Sequence, residues 1–401
     1  MTMDDSEVNP VRLGIVGLGR AFMLMLPTFM GDERVRIAGA ATGSLQKQRA
    51  FAAQFGHSAV SDTAALLANP DIDAVYIATP HELHRQNVVD ALRANKHVLV
   101  EKPMTITSAD AAAITGAVRE SGREVIVGPS HSFDKPIVEA AKLIASGKYG
   151  PVGMINAHYY TDFVYRPRRP EELDRAHGGG VVFNQGAHHV DILMTLAGSM
   201  PIGVYGSVGD FDSRRPCDGA YSALVEFSNG CVGSITYSGY AHYDSDAEQG
   251  WIGELGTRKA ADSYGVARQR LQQVDNEVAA KESRGFGDTG DNGPAAVAHE
   301  HFGTIIISCE KADIKPTAEG IHIYADDGYE FIPLPLEGSP RAEVISELYR
   351  VVRCGEKPVH SAARGYLNVA VCEALYESFR HRRRVALRPD EEGESALVTF
   401  V

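Results

Sequence analysis

The segment Val11–Gly19, with the sequence VRLGIVGLG, constrains the fold more than any other part of this 401-residue chain. A short apolar run ends abruptly at Gly17 and Gly19, and a helix-compatible segment begins at Arg20. Backbone N–H groups at such a helix start, together with the helix dipole, can hold a pyrophosphate. The first glycine permits a tight turn, and the second lets the backbone approach a phosphate closely. Phe22 occupies the third position of the motif, where a small residue is usual. The turn predicts a dinucleotide site, but the motif alone is weak evidence.

The first 130 residues alternate between short apolar runs and longer helical patterns, which is typical of a parallel α/β sheet. We predict strands at residues 11–16, 35–40, 73–78, 97–100 and 124–127. We predict helices at residues 45–55, 64–68, 84–94 and 109–120, the last ended by Gly122. Pro27 falls inside the first expected helix and should kink or shorten it. Residues 1–130 are therefore predicted to form a doubly wound, Rossmann-type domain.

After about residue 130 the pattern changes to consecutive strand-like runs. They follow a predicted helix at 135–146 and span residues 152–160, 203–210, 220–227, 231–240, 304–309 and 320–324. Turn residues such as Ser228-Asn229-Gly230 favour hairpins, and two more helices are predicted at 342–353 and 362–380. We predict an α+β domain over residues 131–401 with a large, mostly antiparallel sheet. An exposed face of that sheet would favour a homodimer or homotetramer.

Residues 244–298 interrupt this domain with polar, Gly-rich sequence. Within it, Val266, Leu271, Val274 and Val278 share a face at helical spacing. Two interpretations remain open: a mobile surface excursion, or a lid or subunit-contact arm.

Composition excludes several classes of function. The formal net charge of −13 disfavours a nucleic-acid partner, and no apolar run approaches the length that spans a membrane. Five scattered cysteines without a C-x-x-C pair, and an acidic start unlike a secretion signal, favour a cytoplasmic location. No metal is expected, because the adjacent His188 and His189 would point about 100° apart on a helix and could not share one ion with Asp191.

Two further strands end where ligands of a parallel sheet bind. One ends at Thr79-Pro80, which can border a nicotinamide ring, and the other ends at Glu101-Lys102. A partly desolvated Lys102 near a positive cofactor ring would have a lowered pKa and could assist proton transfer from a substrate hydroxyl. The alternative is a surface ion pair.

The second domain offers a matching group. Three glycines at 178–180 precede a predicted helix that places Asn184, His188 and Asp191 on one face. A histidine titrates near neutral pH and suits the movement of a hydroxyl proton. The alternative is that His188 and His189 are interior residues of the helix.

Three motifs together resemble the Gfo/Idh/MocA family of nicotinamide-dependent oxidoreductases: GIVGLG, TPHELHRQNVVDALRANKHVLVEKP and GGGVVFNQGAHHVDIL. The resemblance implies that Lys102 and His188 are catalytic. It places Asn184 where the family has a catalytic Asp, a departure that removes a carboxylate. We predict that the cofactor contacts come from the glycine turn and the neighbouring strand ends, namely Gly17, Gly19, Arg20, Ala21, Phe22, Thr42, Ser44, Thr79, Pro80, His84, Glu101 and Lys102.

Within that family, segments such as YRPRRPEELD and GWIGELGTRK are similar to the cis-dihydrodiol dehydrogenases of phthalate and chlorobenzoate breakdown. The similarity implies oxidation of a carboxylated cyclohexadiene cis-diol to a catechol. Arg166, Arg168 and Arg169 could bind the ring carboxylate, with His189 also at the substrate, although solvated loop arginines are the simpler alternative. A sugar, inositol or other polyol dehydrogenase and a non-catalytic cofactor-sensing regulator remain alternatives.

The choice of cofactor is open at this stage. Thr42 occupies the position that usually carries an acidic residue when NAD is bound, so nothing there repels a 2′-phosphate. Lys47 and Arg49 could attract one. The family resemblance favours NAD, and NADP is not excluded.

Overall fold

A computed structural model describes residues 8–287, 294–339, 341–389 and 396–398. Its N-terminal part is a parallel sheet with the strand order β3-β2-β1-β4-β5-β6. The strands are β1 Val11–Val16, β2 Val35–Ala41, β3 Ala59–Val60, β4 Ala74–Ile77, β5 His97–Val100 and β6 Val125–Val127. The helices between them are α1 Arg20–Gly31, α2 Leu45–Phe55, α3 Thr63–Leu67, α4 His84–Arg93 and α5 Ser108–Ser121. This is the predicted doubly wound fold.

The second sheet has the order β14-β13-β12-β11-β7-β10-β9-β8-β15-β16 and is antiparallel except between β7 and β10. Its strands are β7 Val152–Tyr160, β8 Pro201–Gly209, β9 Ala220–Phe227, β10 Val232–Ser238, β11 Thr304–Cys309, β12 Ala312–Thr317, β13 Gly320–Ala325, β14 Gly328–Pro333, β15 Val385–Pro389 and β16 Ala396–Val398. The helices of this half are α6 Lys135–Ala145, α7 Ala187–Ala197, α8 Val266–Leu271, α9 Glu277–Glu282, α10 Ala342–Cys354 and α11 Ala362–His381.

Some elements differ from the sequence expectations. Pro27 was expected to kink or shorten the first helix, but α1 continues past it to Gly31, with Phe22, Met25 and Phe29 buried against the first sheet. The strands β3, β12, β14, β15 and β16 were not predicted. Among these, β14 is mostly exposed, so it lacks the apolar alternation on which the sequence prediction depends.

The chain returns to the first sheet after completing most of the second. Helix α10 buries Val344, Ile345 and Leu348 in the apolar cluster that contains β1. Helix α11 then packs between α5 and β8, and Ser361 pairs with Ile126 of β6. The two sheets are therefore joined by packing at several points.

Strand alternation leaves one face of the second sheet open. Outward-facing side chains on five neighbouring or nearby strands are exposed and apolar or aromatic: Met154, Tyr205, Leu224, Ile306 and Tyr324. Within the described residues, we find no helix that is both long enough and apolar enough to cross a bilayer.

Candidate active site

The glycine turn after β1 has the conformation that the sequence predicts. Gly17 adopts a φ of +96°, and a Cβ at this position would lie 2.8 Å from the carbonyl oxygen of Ala78. Gly19 is the N-cap of α1 and makes no side-chain cap, and a Cβ there would meet nothing within 4 Å. The first glycine is therefore required by backbone geometry, whereas the second leaves open space at the start of the helix.

A cavity of about 440 Å³ lies above this turn and between the two domains. Of the predicted cofactor residues, all except Phe22 line it. Phe22 instead lies wholly in the core, with its ring centroid 5.5 Å from that of Phe286. Other lining residues were not predicted as cofactor contacts: Leu18, Lys47, Ala78, His81, Arg169, Glu172, Asn184, Lys281, Glu282 and Gly285. The open space at Gly19, the free N–H groups of α1 and the elongated set of strand ends fit a dinucleotide.

Lys102 reaches from the end of β5 across to the second domain. Its Nζ donates a hydrogen bond to the backbone oxygen of Asn184 over 2.7 Å. Burial lowers the pKa of Lys102 to about 8, against the opposing charges of Glu101 and Glu254. Glu101 accepts a hydrogen bond from the Tyr76 hydroxyl at 2.5 Å, and burial raises the pKa of this carboxyl. Lys102 is thus a desolvated amine at the cavity and does not form the surface ion pair that was the alternative for Glu101-Lys102.

His188 lies on the first turn of α7, beside the loop that follows β6. Its Nδ1 accepts a hydrogen bond of 3.4 Å from the backbone N–H of His131, so the proton of the neutral ring belongs on Nε2. Burial lowers the pKa of His188 well below its usual value, and the charges of Lys102 and His131 lower it further. The imidazole is therefore uncharged at neutral pH. The His188 ring borders a small cavity together with Ser130, His131 and Arg341. It lines neither the cofactor cavity nor the second large cavity described below.

The segment before α7 is a π-helical turn, Val182–Gly186, rather than the regular α-helix that the spacing predicts. The extra residue of this turn directs Asn184 to the cofactor cavity and Gln185 to a second cavity. The Asn184 amide donates to the carbonyl oxygen of Gly180 at 2.8 Å. Asp191 lies deeper, paired with Arg364 at 2.5 Å. The proposed common face of Asn184, His188 and Asp191 is therefore divided.

His189 is wholly buried behind His188. Its Nδ1 lies 2.7 Å from the Tyr221 hydroxyl, and burial lowers its pKa to about 3. It lines neither large cavity. This placement agrees with the interior alternative and not with a substrate contact.

The second cavity, of about 450 Å³, adjoins the first and shares Arg20 and Lys281 with it. Arg166 and Arg168 line it, whereas Arg169 lines the cofactor cavity. The Arg166 guanidinium lies 3.3 Å from carboxylate oxygens of both Asp162 and Glu254.

Arg168 is held differently from Arg166. Its guanidinium lies 3.7 Å above the Phe163 ring centroid, donates to the Phe163 carbonyl oxygen and lies 3.7 Å from a carboxylate oxygen of Glu172. Among the described residues its Nε has no hydrogen-bond partner. Burial lowers the pKa of Arg168 to about 10. The three predicted arginines are thus divided between two sites: Arg166 and Arg168 line the second cavity, and Arg169 lines the cofactor cavity.

Sequence reasoning missed Glu254, Gln185 and Tyr159 as members of this cavity wall. Glu254 lies in GWIGELGTRK, a segment noted only for its similarity to relatives. Gln185 lies between two residues that were singled out. The helical spacing assumed for its neighbours gave no reason to place it toward a ligand.

The insertion packs across the cleft in its described part. Ala267 and Leu271 pack on a cluster around Tyr165, and Glu277 pairs with Arg215 at 2.7 Å. Residues 277–287, which we term the strap, then cross the cofactor cavity to Phe286. That ring is buried in the first domain, within 6.1 Å of the ring centroids of Phe22, Phe51 and Phe55. This packing favours the lid or arm interpretation over a mobile excursion, and residues 288–293 lie outside the described part.

The fold and the site together define a two-domain dehydrogenase that uses a nicotinamide dinucleotide. Residues 11–129 match the oxidoreductase family model GFO_IDH_MocA, an NAD-binding Rossmann fold, and residues 137–258 match the GFO/IDH/MocA C-terminal domain. The chain belongs to the Gfo/Idh/MocA family of oxidoreductases.

Relatives agree with this assignment. The chain is 44% identical over 374 residues to 1-carboxy-3-chloro-3,4-dihydroxycyclohexa-1,5-diene dehydrogenase of Comamonas testosteroni, covering 92% of this chain and 94% of that protein. It is 34% identical over 223 residues to a dTDP-3,4-didehydro-2,6-dideoxy-alpha-D-glucose 3-reductase of Streptomyces violaceoruber, covering 54% and 63%. A crystal structure of a protein assigned as a dehydrogenase from Bordetella bronchiseptica RB50 superposes with a TM-score of 0.89 at 33% identity, covering 94% of this chain and all of that one.

Proposed function

We propose that this enzyme oxidises a carboxylated cyclohexadiene cis-diol to a catechol, with NAD as the hydride acceptor. The observation that carries the proposal is the cavity lined by Arg166 and Arg168, which adjoins the cofactor cavity next to Lys102. A guanidinium binds a carboxylate through directed, charge-assisted hydrogen bonds. The relative from Comamonas testosteroni is named for a carboxylated, chlorinated diol of this kind.

The residues divide the chemistry between two nitrogen groups. Bound NAD supplies the acceptor for the hydride that leaves the carbinol carbon. With a pKa of about 8, Lys102 is partly uncharged at neutral pH and can take the proton of the reacting hydroxyl. His188, neutral with its proton on Nε2, borders a small cavity rather than either large one, so we give it a supporting role beside Lys102 and no direct contact with the diol. The balance is diol plus NAD⁺ giving catechol, NADH and one proton.

Aromatisation supplies the driving force of this reaction. Once the hydride and the hydroxyl proton have left, the ring ketone tautomerises to the catechol. The protein therefore needs mainly to orient the diol and accept one proton. Asn184 is not required as a base in this scheme, because its amide is neutral and donates to the Gly180 oxygen.

NAD is preferred over NADP in this proposal. Thr42 lines the cavity at the end of β2, and its backbone oxygen accepts from Gln48 at 2.7 Å. The Lys47 ammonium lies 3.2 Å from the Leu18 backbone oxygen, so it is already engaged beside the glycine turn. NADP remains the alternative, since Lys47 also lines the cavity.

A polyol substrate is the second candidate. Tyr159, Gln185 and Asp246 also line the second cavity, and the Gln185 Oε1 has no hydrogen-bond partner among the described residues. Such groups suit hydroxyl-rich ligands. The two guanidinium groups that line the same cavity, those of Arg166 and Arg168, favour the carboxylated diol.

NADH formation at 340 nm tests the proposal directly. Purified enzyme with NAD is offered a carboxylated cyclohexadiene cis-diol, the same diol without the carboxylate, and a panel of inositols and sugars. We expect kcat/KM to be highest for the carboxylated diol, with the catechol identified as product. Turnover of polyols alone would replace the proposal by its alternative, and NAD binding without turnover of any substrate would favour a regulator.

We further propose a homodimer or homotetramer assembled through the open face of the second sheet, where Met154, Leu224 and Ile306 are exposed. We propose a cytoplasmic location because the five cysteines are free, and free thiols are typical of a reducing compartment. Residues 1–130 and 131–401 remain our proposed domain division, with α10 packed back on the first sheet. Sedimentation of wild-type enzyme and of a Leu224→Glu variant tests the assembly.

A further inference from the structure

We propose that Arg20 of helix α1 and Arg284 of the strap bind the substrate carboxylate between their guanidinium groups. The strap thereby completes the substrate site and contributes to its preference for an acid. The inference rests on the proposed function for the identity of the substrate. It adds two specificity-determining residues to Arg166 and Arg168, and it gives Arg20, which the sequence predicts only as a cofactor contact, a second role.

The first observation is the position of Arg20 on its helix. Arg20 and Leu24 are four residues apart on α1 and therefore share one face of that helix, and both line the second cavity. Arg20 also lines the cofactor cavity, whereas Leu24 does not. The Arg20 side chain thus lies at the junction of the two cavities. A substrate that extends from Lys102 into the second cavity passes this junction.

The second observation is a backbone contact that holds Arg284 near the same junction. The N–H of Phe286 donates a hydrogen bond to the Leu18 oxygen in the glycine turn over 3.3 Å. A Cβ on Gly285 would lie 3.4 Å from that oxygen, so the strap runs close against the turn. Arg284 comes directly before this contact, and it lines the second cavity but not the cofactor cavity. The strap therefore places a cation on the substrate side of the turn from which α1 begins.

The third observation is that these two guanidinium groups have no acidic partner. The other cations that line the second cavity each lie within ion-pair distance of a carboxylate: Arg166 of Asp162 and Glu254, Lys259 of Asp246, and both Arg168 and Lys281 of Glu172. Among the described residues, the side chains of Arg20 and Arg284 form no hydrogen bond and no ion pair. Their charges are available to a ligand.

Two unpaired like charges at one cavity repel each other in the free enzyme. Burial lowers the pKa of Arg20, and the positive charges of Arg284 and Arg341 lower it further. Arg341 already has a carboxylate partner, Glu300, at 3.0 Å. A substrate carboxylate between Arg20 and Arg284 offsets their repulsion and accepts charge-assisted hydrogen bonds from both. A neutral polyol cannot do so, and the unpaired cations therefore favour an acidic substrate.

Substitution of each arginine tests the pair against two substrates. Arg20→Gln and Arg284→Gln should each raise KM for the carboxylated diol about 10- to 100-fold, the effect of losing a charge-assisted hydrogen bond to the ligand. The KM for the diol without the carboxylate should change little. Arg284→Lys keeps the charge but not the planar fork, so it should recover only part of the loss. The matched control is Arg270→Gln, which removes an exposed arginine of the same insertion that lines neither cavity.

A binding measurement separates this inference from the proposed function. The enzyme with bound NADH is titrated in a calorimeter with protocatechuate, a catechol that has a ring carboxylate, and with catechol itself. Weaker binding of protocatechuate by both Gln variants, with unchanged binding of catechol, supports the inference even if no diol is oxidised.

Two results would overturn the inference and leave the proposed function intact. One is an unchanged KM for the carboxylated diol together with unchanged protocatechuate binding in both Gln variants. The other is a raised Kd for NAD as the only effect, because the two cations would then serve the cofactor. A wild-type enzyme that binds protocatechuate no more tightly than catechol would also contradict the inference.

Discussion

The Nζ of Lys102, at the end of a strand in the first domain, donates a hydrogen bond to the backbone oxygen of Asn184 in the second domain over 2.7 Å. This contact joins the end of β5 to the π-helical turn ahead of α7, and both residues line the cofactor cavity. Because the acceptor is a backbone atom, the contact does not depend on the side chain at position 184. The Asn that stands where the family resemblance implies an Asp therefore does not alter this contact.

Replacement of Lys102 should abolish turnover and leave cofactor binding largely unchanged. For Lys102→Ala we expect kcat to fall about 10²- to 10⁴-fold, the usual contribution of a positioned proton acceptor. The Kd for NAD should change only a few-fold, since many other residues line the cavity. Stopped-flow turnover and calorimetric NAD titration measure the two quantities, with the exposed Lys311→Ala as control. A variant with normal kcat would exclude Lys102 as the acceptor.

The pH dependence of the wild-type enzyme follows from the same residue. The amine accepts a proton only when it is uncharged, so with a pKa of about 8 its active fraction grows as pH rises through 8. We expect kcat/KM to fall about tenfold per pH unit below that midpoint and to level off above it. A rate profile that stays flat from pH 6 to pH 9 would contradict this role.

The three arginines should affect different substrates. Arg166→Gln and Arg168→Gln remove charged donors from the second cavity, so KM for the carboxylated diol should rise about 10- to 100-fold, with a smaller change in kcat. Arg169→Gln should instead raise KM for NAD, because Arg169 lines the cofactor cavity. The uncarboxylated diol is the matched control. Equal losses with and without the carboxylate would argue against a carboxylate-binding role.

Two glycine variants should separate folding from cofactor binding. Gly17→Ala forces a side chain into a positive φ and against the Ala78 oxygen, so we expect a loss of about 1–3 kcal/mol in the free energy of unfolding. Gly19→Ala meets no protein atom and should leave stability within about 0.5 kcal/mol. Its methyl group occupies the space above the helix start, so the Kd for NAD should rise about tenfold, equivalent to 1.4 kcal/mol. Urea unfolding and NAD titration are the measurements. Tight NAD binding by Gly19→Ala would show that the pyrophosphate lies elsewhere.

Detaching the strap should loosen the cofactor site. Phe286 is buried among aromatic rings of the first domain, so Phe286→Ala should lower the free energy of unfolding by about 3–5 kcal/mol. The Kd for NAD should rise as well, because Lys281 and Gly285 line the cavity on the same segment. Val297→Ala, at an exposed position of the same insertion, is the control. Unchanged NAD affinity in a folded Phe286→Ala protein would remove the strap from the cofactor site.

Much of the fold could be predicted from local patterns. Strands β1 and β5 and helix α2 lie where the apolar spacing places them, and Gly122 ends α5 in the left-handed conformation. These features depend on neighbouring residues, so a one-dimensional sequence contains the information. The exposed β14 shows the limit of this approach, since its pairing with β13 comes from the hairpin rather than from an apolar face.

The sequence by itself predicted the glycine turn, the order of the two sheets and the position of Lys102 at the end of a strand, because each depends on contiguous residues with a local physical cause. Only the tertiary structure decided that Arg166 and Arg168 face one cavity and Arg169 the other, that a π-turn divides Asn184 from Gln185, and that Glu254 joins the site. Phe286 reaches the first domain in the same way, since its ring meets those of Phe22, Phe51 and Phe55 from a distant part of the chain. Such contacts depend on how distant segments pack against each other. The packing energy belongs to pairs of residues far apart in the chain, so a local sequence pattern does not contain it.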